Sequence, residues 1–223
     1  MPGEPGAAVV LLSGGLDSGT AALLWQEAGG SCARALFVDY GQRAALQEAE
    51  ASQRLARRHG WAWRHVPLPQ LAEVARAYGS ALLAGTRELP RGTLARPGDA
   101  ASARAVWVPA RNVVLVALAA AHAEALGATA VVAGFNREEA ATFGDNSAEF
   151  LARMTAVLEL GTRSAVRVES PTLHLDKPAI AAHARRLGHR ATDFWSCYAD
   201  GAEPCGVCES CLRARRAWEH GPA

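Results

Sequence analysis

The chain has 223 residues, half hydrophobic and a fifth charged, with 23 basic against 22 acidic side chains and a formal charge of +1. That length supports one main core burying roughly 70% of the unfolded surface plus a small appendage, and the near-neutral balance supplies no broad field for nucleic acid, which is not expected as a partner. No apolar run approaches the roughly 20 residues of a membrane span, and Met1-Pro2-Gly3-Glu4 lacks the start of a secretory signal, so a cytoplasmic location without membrane contact is expected.

Three short apolar segments, Ala7 to Leu12, Arg34 to Asp39 and Trp61 to Val66, recur at a spacing of 27 residues and read as buried strands. Helical stretches, Ser18 to Glu27 and Ala44 to His59, separate them, and each strand–helix–strand unit has the size of a parallel crossover. The second helix is expected to place Leu46, Ala49, Gln53 and Ala56 on one side, with Glu48, Arg54 and Arg58 elsewhere. Residues Gly85 to Arg104, with Pro90, Gly92, Pro97 and Gly98 among arginines, read as a long lid-like or disordered loop. A short strand at Val106 to Val108, a helix from Asn112 to Leu126 and a strand at Ala130 to Ala133 follow. A helix from Ser147 to Glu159, a strand near Val166 to Glu169 and a helix from Asp176 to Leu187 complete the pattern, with Asp176 as N-cap and Pro178 in the first turn. The predicted architecture is a doubly wound α/β fold with a parallel sheet of about five strands. Residues 1–190 are expected to form the main α/β domain and 191–223 a small C-terminal helical region.

Directly after the first strand stands Ser13-Gly14-Gly15-Leu16-Asp17-Ser18, then Gly19-Thr20 and a helix. Adjacent glycines let the backbone approach a ligand, and the helix start adds unpaired N–H donors and a partial positive charge. Ser13, Ser18 and Thr20 add hydroxyls, so the bend suits a polyanion. Asp17 makes sense beside phosphate oxygens if a Mg²⁺ lies between them. No lysine follows, which separates the bend from the Walker loop, and a strand-to-helix turn of small residues is the bland alternative.

Alanine and arginine are abundant, whereas lysine occurs once, at Lys177, and asparagine three times, at Asn112, Asn136 and Asn146. A genome that replaces lysine by arginine keeps a lone lysine where a compact ammonium cannot be exchanged for a planar guanidinium; chance survival is the alternative. Cys197, Cys205, Cys208 and Cys211 are spaced to fold four thiolates around one ion, and four sulfurs satisfy a closed, structural tetrahedral Zn²⁺. An iron–sulfur cluster is the competing reading. Cys32 reads as a small buried hydrophobe, Arg213, Arg215 and Arg216 as a solvated helix face, and no histidine as catalytic.

The Ser-Gly-Gly-x-Asp-Ser bend resembles the pyrophosphatase loop of the N-type ATP pyrophosphatases, whose fold is adenine nucleotide alpha hydrolase-like. Further blocks narrow the resemblance: Phe37-Val38-Asp39-Tyr40-Gly41-Gln42-Arg43, Trp107-Val108-Pro109-Ala110-Arg111-Asn112, Phe143-Gly144-Asp145-Asn146-Ser147-Ala148-Glu149-Phe150, Glu169-Ser170-Pro171 and Asp176-Lys177. With the cysteines they resemble the 7-cyano-7-deazaguanine synthase family from Val9 to Arg213. The resemblance implies ATP-dependent conversion of 7-carboxy-7-deazaguanine and ammonia to the nitrile through adenylated carboxylate and amide, releasing AMP and diphosphate. It implies that Leu12, Ser13, Gly14, Gly15, Leu16, Asp17, Ser18, Gly19 and Thr20 bind ATP with Mg²⁺, and that Asp17, Lys177 and Arg111 are catalytic. Tyr40, Gln42, Arg43, Asn112 and Asp145 are the implied substrate contacts.

The length leaves no room for a glutamine-hydrolysing domain, so free ammonia is the expected nitrogen donor; a homodimer is compatible with the sequence. Ala110 stands where the family usually has glycine, so a glycine-only backbone angle is not expected there, and Gly144-Asp145-Asn146-Ser147 replaces the family's common Tyr-Pro-Asp-Cys-Arg. Asn112 and Asp145 also read as helix caps. Other functional readings are a tRNA-modifying thiolase or lysidine-type ligase, a related synthase acting on a protein, and a non-catalytic nucleotide-binding module.

Overall fold

The computed structural model describes residues 6–92 and 100–220. Its strands are β1 (Ala7–Leu11), β2 (Ser31–Asp39), β3 (Trp63–Pro67), β4 (Ala130–Val132) and β5 (Arg167–Glu169). The helices are α1 (Leu16–Glu27), α2 (Ala45–His59), α3 (Pro69–Tyr78), α4 (Ala100–Ala105), α5 (Arg111–Ala125), α6 (Arg137–Ala140), α7 (Ala148–Gly161), α8 (Lys177–Arg186) and α9 (Glu209–His220). The strands form one sheet in the order β3-β2-β1-β4-β5, with every pairing parallel. This is the expected α/β architecture.

Alternation along the central strands builds the two layers. Ala8, Val10 and Leu12 pack with Leu23 and Trp25 of α1, Ile180 of α8 and Phe194. Val9 and Val131 face the opposite way, onto Val116, Ala119 and Ala123 of α5 and Met154 and Leu158 of α7. Successive strand side chains point to opposite faces, so a strand covered on both reads as a continuous apolar run. Alanines on α5 let that helix sit close to the sheet.

Several elements differ from the sequence reading. Val106 to Val108 is no strand: it follows α4, buried in a third cluster with Tyr40, Leu71, Ala75 and Leu83 and without a sheet partner. The β-branched residues there carry a strand-like signal because burial and ladder pairing leave the same local pattern. The expected loop 85–104 contains α4, and residues 93–99 lie outside the described residues. α3 is an element that the sequence reading did not anticipate; it starts at Pro69 and ends on Gly79 at φ +79. On α2 the inward face is Glu48, Ala51, Ser52, Leu55 and Ala56, so Ala56 is buried as expected, whereas Leu46 is 66% exposed. The spacing i, i+3, i+4, i+7 fits that face, so the apolar Leu46 misled the assignment.

Candidate active site

Parallel strands bring all their C-terminal ends to one edge, and the chain order reverses where β1 lies between β2 and β4. Such a switch point opens a crevice beyond the strand ends. The Ser13–Ser18 bend fills its rim. Ser13 and Ser18 hydroxyls lie 2.9 Å apart, the Ser13 amide donates to Ser18 Oγ at 3.2 Å and the Gly15 amide to Ser13 Oγ at 3.3 Å. Gly14 takes φ +82, and a Cβ on it would stand 2.4 Å from the Glu48 carbonyl oxygen. Gly134, just past β4, allows the same close approach from the other side: its Cβ would meet the Ser18 amide nitrogen at 2.4 Å. No side chain caps α1 at Gly15, so the first-turn amides face the crevice without a capping acceptor.

A cavity of about 300 Å³ opens over the bend, and its lining includes Asp17, Glu48, Arg111, Glu139 and Lys177. Lys177, the first residue of α8 after its Asp176 cap, hydrogen-bonds Asp17 Oδ2 and lies 3.5 Å from Glu139 Oε1. Burial pushes the Asp17 carboxyl up against the pull of Lys177. Burial alone would push the lysine down, but Asp17 and Glu139 together hold it above its ordinary value. Asp17 Oδ1 is buried without a hydrogen-bond partner among the described residues, an acceptor left for a cation or donor that enters with a ligand.

Arg111, half-buried at the start of α5, donates to Tyr40 Oη at 3.3 Å. Ala110 before it has φ 53, in the left-handed region that glycine favours but that other residues can enter at a cost, so alanine is strained there without the angle being open to glycine alone. Asn112 is inside the helix and donates to the Asp145 carbonyl at 3.2 Å, so it is no cap. Asp145 lies within the 3₁₀ turn Gly144–Asn146, and Ser147 caps α7 instead. Gln42 accepts from the Tyr40 amide and donates to Glu48 at 2.9 Å in each case. Arg43 lies elsewhere, its guanidinium donating to the carbonyls of Ala81 and Arg87. It lines a second cavity, about 650 Å³, beside Cys205 and Cys208.

The four cysteine sulfurs gather within 4.8 Å of one another. Tetrahedral zinc–thiolate bonds of about 2.3 Å place sulfurs about 3.8 Å apart, which suits this group. Amides of Ala199 and Cys205 donate to Cys197 Sγ at 3.3 Å each, Cys208 N to Cys205 Sγ at 3.4 Å and Cys211 N to Cys208 Sγ at 3.5 Å, contacts that favour the thiolate. The preceding segment lines the cavity through Trp195, Ser196 and Tyr198, with Trp195 N donating to the Gly14 carbonyl at 2.9 Å. Cys32 is half-buried, its thiol pushed up to about 12 by desolvation. No histidine among the described residues lines the crevice cavity.

Residues 7–221 match the family model described as queuosine biosynthesis protein QueC. The chain belongs to the QueC family. Relatives named 7-cyano-7-deazaguanine synthase include one from Desulforudis audaxviator, 45% identical over 94% of each chain. Those from Bdellovibrio bacteriovorus, 42% identical over 94% of this chain and 91% of the relative, and Carboxydothermus hydrogenoformans, 40% identical over 94% and 97%, carry the same name.

Three acidic residues of this QueC-family site escaped the sequence reading. Glu48 is half-buried in the cavity wall, with desolvation pushing its carboxyl up to about 7. Glu138 and Glu139, on α6, hold the start of α8: Glu138 Oε1 accepts from the Lys177 amide at 3.0 Å. The predicted solvated arginine face also needs correction. Arg213 pairs with Glu139 and Glu209 and Arg216 with Glu138, while Arg215 is exposed. An acid pair beside a strand end was the available signal.

Proposed function

We propose that this chain performs the reaction for which its relatives are named, making 7-cyano-7-deazaguanine from 7-carboxy-7-deazaguanine and ammonia at the expense of two ATP. The observation that carries this reading is the largely buried Asp17–Lys177 pair beside the glycine bend, at the switch point of a QueC-family chain. The bend's amides and the Ser13 and Ser18 hydroxyls receive the diphosphate as it leaves, because charge develops there when the α–β bond breaks. A carboxylate oxygen of the deazapurine attacks the α phosphorus, diphosphate departs and an acyl adenylate forms. Ammonia then adds to the acyl carbon and expels AMP, giving the amide and releasing a proton. The amide oxygen attacks the α phosphorus of a second ATP, diphosphate departs and one N–H proton is lost to give an adenylated imidate; loss of AMP together with the remaining N–H proton leaves the nitrile.

The unpartnered Oδ1 of Asp17 is the atom that would hold a Mg²⁺ at the bend. Such an ion would supply charge neutralisation for the departing diphosphate. Lys177 offers a compact charge to the reacting phosphate, and Arg111 a fixed guanidinium on the Tyr40 side. Tyr40, Gln42, Asn112 and the Asp145 turn border the space where the acceptor lies. Stacked Trp107 and Phe143, 6.0 Å apart, add an aromatic wall suited to a flat heterocycle. Cys197, Cys205, Cys208 and Cys211 would hold a structural Zn²⁺, which would tie the segment beside the bend to α9.

The test supplies purified protein with ATP, Mg²⁺, ammonium and 7-carboxy-7-deazaguanine. The expected products are the nitrile by mass spectrometry and two AMP and two diphosphate for each nitrile. ADP with orthophosphate would refute cleavage at the α phosphorus.

A further inference from the structure

We propose that Arg213, on the helix that begins at the cysteine cluster, is a positioning residue that leaves the Lys177 ammonium free for Asp17 and the reacting phosphate by engaging the Glu139 carboxylate. The role of the phosphate rests on the proposed function; the division of charge among the side chains does not.

One carboxylate oxygen is shared. Glu139 Oε1 accepts from Arg213 Nη1 at 2.9 Å and lies 3.5 Å from Lys177 Nζ, which hydrogen-bonds Asp17 on its other side. The side chains of Lys177 and Arg213 are each 13% exposed, so water screens this contest only weakly. Glu139 is fixed from below, because its amide donates to the Asn136 cap at 3.0 Å. Arg213 is fixed from α9: Cys208 and Cys211 flank the helix start, Ala217 is buried in the core, and Arg213 also hydrogen-bonds Glu209. The arrangement is a chain of alternating charges, Asp17, Lys177, Glu139, Arg213, Glu209, running from the phosphate bend to the cysteine-anchored helix.

Without Arg213, Glu139 would keep Lys177 as its nearby cation. A carboxylate left underpaired in a buried site takes whatever cation can reach it. The lysine would be drawn from 3.5 Å into full contact, away from the phosphate side of Asp17. Glutamine at 139 would remove that pull, so a second substitution should repair the first.

The experiment compares wild type, Arg213→Met, Arg213→Lys and the double variant Arg213→Met/Glu139→Gln, each checked for bound zinc and melting temperature. Because Lys177 is the sole lysine, ε-carbon-13-labelled lysine gives one side-chain resonance in wild type and in the two methionine variants, which reports its surroundings without substrate; Arg213→Lys, which adds a second lysine, is read by kinetics alone. Arg213→Met should move that resonance and lower kcat 10- to 100-fold, with KM for ATP within about threefold and zinc retained. Arg213→Lys should keep most of kcat, and the double variant should recover at least tenfold and return the resonance toward wild type. An unmoved resonance in Arg213→Met, or a double variant as slow as the single one, would overturn the proposal. Wild type that makes no AMP would defeat the proposed reaction instead, and the resonance would still decide the charge arrangement.

Discussion

Replacing Glu48 by glutamine tests the electrostatics of the cavity wall, because it keeps the shape and the acceptor for Gln42 while removing one titrating proton. Desolvation raises the Glu48 carboxyl from an ordinary 4.5 to about 7. Between those values the folded chain binds a proton that the unfolded chain has released, so stability falls as pH rises through this window. From pH 5 to pH 8 the linkage amounts to about 2.5 kcal/mol, and residual solvent around the half-buried side chain trims it to about 2 kcal/mol. Glu48→Gln should therefore gain about 2 kcal/mol over wild type at pH 8 relative to pH 5, or about 4 to 8 °C in melting temperature for a chain of this size. Urea melts of both proteins at half-unit pH steps measure the difference, in which all other titrating groups cancel. Parallel stability curves across the window would refute a raised Glu48.

Ala110→Gly should raise the melting temperature by a few degrees, since about 1 kcal/mol of left-handed strain at φ 53 is relieved; an unchanged or lower value counts against that strain. Gly134→Ala should leave the circular dichroism intact but cut AMP formation at least 100-fold, because its Cβ would meet the Ser18 amide nitrogen at 2.4 Å; normal turnover would show that the bend yields freely. Cys208→Ser should lower bound zinc below one per chain by elemental analysis and lower the urea midpoint, and full zinc occupancy would exclude Cys208 as a ligand.

Short-range signals in the sequence determined the layered α/β fold. Apolar runs marked the five strands of the sheet, paired glycines and flanking serines marked the bend after β1, and the cysteine spacing marked the cluster. Each depends on residues close together in the chain, where pleat, turn and chelate geometry restrict the choice. The same signals misread Val106 to Val108, because burial without a neighbouring strand looks locally like a strand.

Only the tertiary structure decided which charges meet. Asp17 and Lys177 are 160 residues apart and Arg213 and Glu139 74 apart, and no local pattern pairs them. Folding brings them to one strand edge, and burial there strengthens each contact and raises Glu48 toward neutrality. Packing likewise holds Ala110 in a conformation its own side chain disfavours and turns Leu46 to solvent while Glu48 faces inward. Local propensities are worth about a kilocalorie per residue or less, so summed contacts across the sheet and helices override them.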